Sequence, residues 1–162
     1  MKDAAAARAA ALVARTLTAS LGTLHESAPS VTMAPYALLP EPFAFVVLVS
    51  GLASHTRDML ADPRVALLIV EGEGGGTPPH ALARVALPGR ARALDPGDPR
   101  YAAARACYAQ RFPDMTGLFD LGDFRLFAIE PEAVRVVLGF AQATSLTPGT
   151  LAAAISAALD VG

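Results

Sequence analysis

The residues best placed to do chemistry lie in one run, Ser50-Gly51-Leu52-Ala53-Ser54-His55-Thr56-Arg57-Asp58. It brings together hydroxyl donors, the His55 ring and the Arg57 guanidinium. That set suits an anion, and a phosphate above all, because a guanidinium is a planar fork that can make two parallel bonds to phosphate oxygens. An apolar segment, Phe43 to Val49, leads into the run, and a short helix is predicted out of it over Ser54 to Ala61, ended by Pro63. A helix start leaves backbone N–H groups unpaired, and the helix dipole favours negative charge there. The same residues also fit a plainer role, with Ser54 as an N-cap and Arg57 as a solvated helix charge.

The elements around this run read as strands with short connections. An Ala-rich helix over about 4–19 comes first, packing one narrow stripe. Leu21 to Glu26 and Ser30 to Leu39 are predicted strands joined by a turn near Ala28-Pro29, followed by Phe43 to Val49 and by Arg64 to Glu71. Gly72 to Pro79 is a hairpin loop; it lacks the Gly-Lys-Ser/Thr of a nucleotide phosphate loop. A strand over His80 to Leu87 continues past Pro88-Gly89 to Leu94, with a bulge or bend at the break. A helix over Asp98 to Arg111, a short helical piece over Pro113 to Leu121, strands over Phe124 to Glu130 and Val134 to Phe140, and a terminal helix over Thr150 to Leu159 complete the chain. Six to seven strands with peripheral helices predict a mainly β fold, a largely antiparallel barrel in a single domain over residues 1–162.

Composition narrows the function classes. A net charge of −2 argues against a broad nucleic-acid surface. No apolar run reaches the length of a membrane span and no secretory h-region is present, so a cytoplasmic protein is expected. Cys107 stands alone and reads as a small packed residue. His25, His55 and His80 are too widely spaced to form a metal-binding pair, and no metal is expected.

Four segments resemble the FMN-binding split-barrel family related to pyridoxamine 5′-phosphate oxidase, in particular its haem-utilisation flavoprotein branch. They are Thr32-Met33-Ala34-Pro35-Tyr36-Ala37; Ser50-x-Leu52-Ala53-x-His55-Thr56-Arg57 with Ala61-Asp62-Pro63-Arg64-Val65; Ala83-Arg84-Val85-Ala86-Leu87-x-Gly89-x-Ala91; and Gly122-Asp123-Phe124-Arg125-Leu126 with Gly139-Phe140. The resemblance implies a split barrel that binds FMN in a groove between the two subunits of a homodimer. Thr56 and Arg57 would hold the phosphate, helped by Ser50 and His55. Arg84 would lie near the phosphate or the isoalloxazine edge, and Thr32, Met33, Ala34 and Pro35 would line the ring with backbone groups. The implied activity is that of an FMN-dependent oxidoreductase acting on a small molecule. The alternative is a non-catalytic flavin-binding module or a degenerate barrel without its ligand. Three departures stand out: Thr32 replaces the usual Ser, Asp58 the common Asn, and Leu138-Gly139-Phe140-Ala141 the frequent Gly-Gly-Phe-Gly. Asp58 would weaken phosphate binding unless it pairs with Arg57. Haem-degrading members use a histidine in a C-terminal region; this chain has none after His80, so haem degradation is not expected.

Overall fold

Every strand pairing is antiparallel, and the strands curl into one sheet. In the computed structural model, which describes residues 2–159, the order across the sheet is β2 (Ala28–Pro35), β1 (Thr18–His25), β5 (Arg64–Val70), β6 (Arg84–Leu94), β7 (Phe124–Pro131), β4 (Ala44–Ser50) and β3 (Ala37–Leu39). Two further strands, β8 (Val134–Val137) and β9 (Ala143–Leu146), branch off β6. Helix α1 (Lys2–Arg15) packs Ala9, Ala10, Leu12 and Val13 into the interior, alongside Leu21, Leu67 and Phe127 from the sheet. This is the mainly β split barrel that the sequence predicts.

Burial follows from which faces are covered. β4 is buried along nearly its whole length because Phe45, Val47 and Val49 face the interior while Ala44, Val46 and Leu48 face helix α3 (Tyr101–Arg111). β5 alternates strictly: Val65, Leu67 and Ile69 are buried, and Ala66, Leu68 and Val70 are exposed on the other face. The register puts Met33, Ser20 and Leu68 side by side on that outer face, with Val31, Gly22 and Ala66 as the next row. Val31 is 71% exposed and Met33 61%. β6 serves both halves of the barrel, and Gly89 is where its partner changes, opposite Val65 on one side and Pro131 on the other. A Cβ at Gly89 would collide with the Glu130 carbonyl, so the bend predicted at Pro88-Gly89 needs a residue without one.

Several boundaries differ from the sequence reading; the turn expected near Ala28-Pro29 lies at Glu26-Ser27, both in the left-handed region, and Ala28 and Pro29 already belong to β2. The first helix ends at Arg15, and Thr18 and Ala19 already belong to β1. The strand expected over Ser30 to Leu39 is two strands, interrupted at Tyr36, which is fully buried and whose hydroxyl donates to the Val13 carbonyl at 2.7 Å. His80 is not in a strand: Pro79–Ala81 form a 3₁₀ turn and β6 starts only at Arg84, after the prolines at 78 and 79. The last expected strand stops at Val137, and Ala141 in the left-handed region (φ 58°) turns the chain back as β9. Helix α4 (Pro148–Leu159) then returns to pack along α1.

Candidate functional site

The turn between β4 and helix α2 (Ser54–Ala61) is held by its own hydroxyls. Gly51 N–H donates to the Asp123 carbonyl at 2.5 Å, and a Cβ at Gly51 would stand 2.8 Å from that oxygen. Only glycine lets the ends of β4 and β7 approach this closely. Ser50 Oγ donates to Asp123 Oδ2 at 2.7 Å and accepts from Leu52 N–H at 3.1 Å. Thr56 is fully buried, and its hydroxyl donates to the Ser50 carbonyl at 2.5 Å. The structure places the Thr56 hydroxyl, expected at a phosphate, inside this turn. Its only proton is committed to the turn, and the hydroxyl pins α2 in place. Ser50 likewise braces the turn through Asp123, a residue whose part sequence reasoning missed although Gly122-Asp123-Phe124 was conspicuous.

The start of α2 stays open. Its N-cap is Ala53, in extended conformation with no side-chain cap bond, and Ser54 is the first helical residue rather than the cap. Arg57 is exposed, and among the described residues its guanidinium has no hydrogen-bond or ion-pair partner. His55 is partly buried, and that burial pushes its pKa below the ordinary 6.5 despite the opposing charge of Asp58. Its ring is therefore neutral at pH 7, with one N–H to donate. An uncapped helix start beside a free guanidinium and a neutral imidazole is a donor set for an anion.

Asp58 does not pair with Arg57. It turns under α2 toward β1, where its Oδ2 accepts from the Thr23 hydroxyl at 2.9 Å and its Oδ1 from His25 Nδ1 at 2.7 Å. Burial acts to raise the Asp58 pKa, but the His25 and Thr23 bonds and the nearby positive charges outweigh it and hold the carboxyl below its ordinary 3.8. This cluster gave no sequence signal, since Asp58 lies more than thirty positions from Thr23 and His25.

The remaining expected site residues do not converge on α2 within one protomer. Thr32 and Ala34 point to the interior face of β2, Met33 and Pro35 to the outer one. Ala34 is core, 1% exposed, so at that position only backbone groups could line a ligand. β2 is an edge strand bonded to β1 alone, which leaves such groups available. Thr32 Oγ1 is buried without a hydrogen-bond partner. Arg84 lies opposite Val70, at the far end of β5 from the α2 junction at Arg64. At ~3.3 Å per residue the two ends are roughly 20 Å apart. Arg84 instead donates to the Leu82 carbonyl at 3.1 Å. Within one protomer Arg84 therefore lies at the opposite end of β5 from the α2 junction. A groove of about 840 Å³ runs between α1 and α4, lined chiefly by alanines.

The sequence pattern of pyridoxamine 5′-phosphate oxidase matches residues 5–138, from α1 through β8. The chain belongs to the pyridoxamine 5′-phosphate oxidase family. Within that family it is 30% identical over 116 residues to the heme oxygenase HutZ of Vibrio cholerae, covering 71% of this chain and 65% of that protein. It is 35% identical over 119 residues to the chloroplastic heme oxygenase HOZ of Arabidopsis thaliana, covering 74% of this chain and 35% of the other. The chain thus spans less than two thirds of both relatives. Among solved structures it is similar to a heme binding protein from Mycobacterium smegmatis, with a TM-score of 0.80, 32% identity, and coverage of 92% of this chain and 60% of that one. The haem-utilisation branch indicated by the sequence motifs is the one these relatives represent. No helix among the described residues is long and apolar enough to cross a membrane.

Proposed function

We propose that the chain is an FMN-binding flavoprotein of the pyridoxamine 5′-phosphate oxidase family, acting as an oxidoreductase on a small molecule. The observation that carries this reading is the uncapped start of α2 with the unpaired Arg57 beside it. The donor set fits a phosphate: Arg57 supplies a fork, His55 one N–H, and the first turn of α2 its backbone N–H groups. Thr56 and Ser50 fix the turn that presents them. The orphaned Thr32 hydroxyl and the free edge of β2 supply further polar groups on the same side of β1 as the Thr23–Asp58 contact. FMN, when bound, supplies the hydride and electron transfer.

The same reading calls for a homodimer. Val31 and Met33 of β2 and Leu68 and Val70 of β5 form an exposed apolar face on either side of β1, of the kind that a two-fold interface covers. Arg84 shares the outer side of the sheet with Val70, so a second copy is what could bring an Arg84 to a ligand at α2. Light scattering should give twice the 16.7 kDa chain mass at micromolar concentration, and a monomer would remove Arg84 from the site.

A second reading, haem binding, is favoured by the names of the relatives in the same branch. Mass spectrometry of the small molecule released on denaturation separates the two. FMN with flavin absorbance bands supports the first, and haem with a Soret band the second. Reduction of the bound flavin by NADH or NADPH and its reoxidation would separate an enzyme from a carrier.

A further inference from the structure

The His25–Asp58 contact is not used by the phosphate reading, yet it bears on it. Asp58 is 4% exposed and both of its oxygens are engaged, whereas 53% of the His25 side chain is open to solvent. With Nδ1 donating to the carboxylate, Nε2 is the free nitrogen of the ring. Asp58 directly follows Arg57 on α2, and the Arg57 charge acts on both Asp58 and His25. The three groups form one electrostatic cluster at the helix assigned to the phosphate. Arg57 and Asp58 alone cancel. A protonated His25 leaves the cluster with one net positive charge, and a neutral His25 leaves it with none.

We infer that His25 sets the charge of the anion site: bonded to one oxygen of Asp58 while Thr23 holds the other, it is a positioning residue whose protonation turns the neighbouring Arg57 and Asp58 charges from balanced to attractive for a bound phosphate. This rests on the phosphate reading above and adds to it a residue and a pH dependence. The groups facing His25 agree on the direction. The Asp58 hydrogen bond and charge raise its pKa above 6.5, Glu26 in the adjoining turn adds to this, and partial burial and Arg57 oppose it without reversing it. The imidazolium therefore persists somewhat above pH 6.5 and is lost as pH rises further. A phosphomonoester becomes a dianion as pH passes about 6. Affinity for FMN peaks where both are charged, between about pH 6 and the His25 transition.

The test is calorimetric titration of the full chain with FMN from pH 5.5 to 9, for wild type and His25→Gln, with riboflavin as the ligand lacking phosphate. A glutamine can still donate to Asp58 but does not titrate. Wild type should lose roughly three- to tenfold in FMN affinity from its peak to pH 9, the effect of one unit charge in a partly solvated site. His25→Gln should not show that loss, and riboflavin should show none in either protein. On wild-type protein alone, the NMR titration midpoint of His25 should move up when FMN is bound, because linkage is reciprocal. Equal pH profiles in both proteins, or an unmoved His25 midpoint, would overturn the inference while leaving FMN binding intact. If wild type binds no FMN at any pH, the phosphate reading falls and this inference with it.

Discussion

Two helix ends in this molecule are finished in opposite ways. The last turn of α1 is closed from inside the protein. Arg111 Nη2 donates to the Ala14 carbonyl at 2.9 Å and the Thr16 carbonyl at 2.6 Å, and the buried Tyr36 hydroxyl takes the Val13 carbonyl. The Arg111 guanidinium also lies 5.5 Å from the centre of the Tyr36 ring. The first turn of α2 has no side-chain cap, and the arginine next to it is free. Helix ends leave backbone groups that need partners. Where the chain fills that need itself, the end is structural. Where it leaves a cation and open N–H groups facing out, a ligand can fill it. Arginine alone does not distinguish the two; its partners do.

The contrast can be broken by substitution. Arg111→Ala removes two charge-assisted bonds from carbonyls at the α1 end, so it should cost about 3 kcal/mol or more of stability. At about 2–4 °C per kcal/mol, the melting temperature should fall by roughly 6–12 °C, with FMN affinity per folded molecule unchanged. Arg57→Ala should do the reverse. FMN binding should weaken by about 1.5–3 kcal/mol, one to two decades, with the melting temperature of the free protein unmoved. Arg57→Lys should recover part of that loss, since an ammonium lacks the fork. Tyr36→Phe removes one neutral hydrogen bond and should lower stability by about 1 kcal/mol in thermal denaturation. Ser54→Ala sharpens the comparison from the other side. A genuine N-cap would cost about 0.5–2 kcal/mol, but Ser54 is the first helical residue, so the change should stay within about 0.5 kcal/mol.

Much of this was legible in the sequence, for reasons that can be named. Helix α2 runs from Ser54 to Ala61 as predicted, because Pro63 stops it and apolar strands bracket it. The barrel class followed from short strands closely connected. The openness of Arg57 was only one of two readings, since an exposed helix charge and an anion ligand look alike in sequence. The inward turn of Thr56 was not legible because a hydroxyl at a helix start can point either way, and here the Ser50 carbonyl takes its proton. The position of Arg84 was illegible for a different reason. A strand can be recognised without knowing which of its ends lies next to a given helix, and the β5–β6 register puts Arg84 at the end away from the α2 junction of the same protomer. The Thr23–Asp58–His25 cluster was invisible because it depends on α2 packing over β1. β9 escaped because four residues between a turn and a helix carry too little periodicity.

The most direct measurement is a side-by-side titration of ligand-free wild-type protein with FMN and riboflavin at pH 6.5. The two share the ring system and differ in the phosphate. If the open start of α2 with Arg57 is the anchor, FMN binds about one to two decades more tightly. Equal affinity for the two would place the phosphate elsewhere and leave Arg57 an ordinary surface charge.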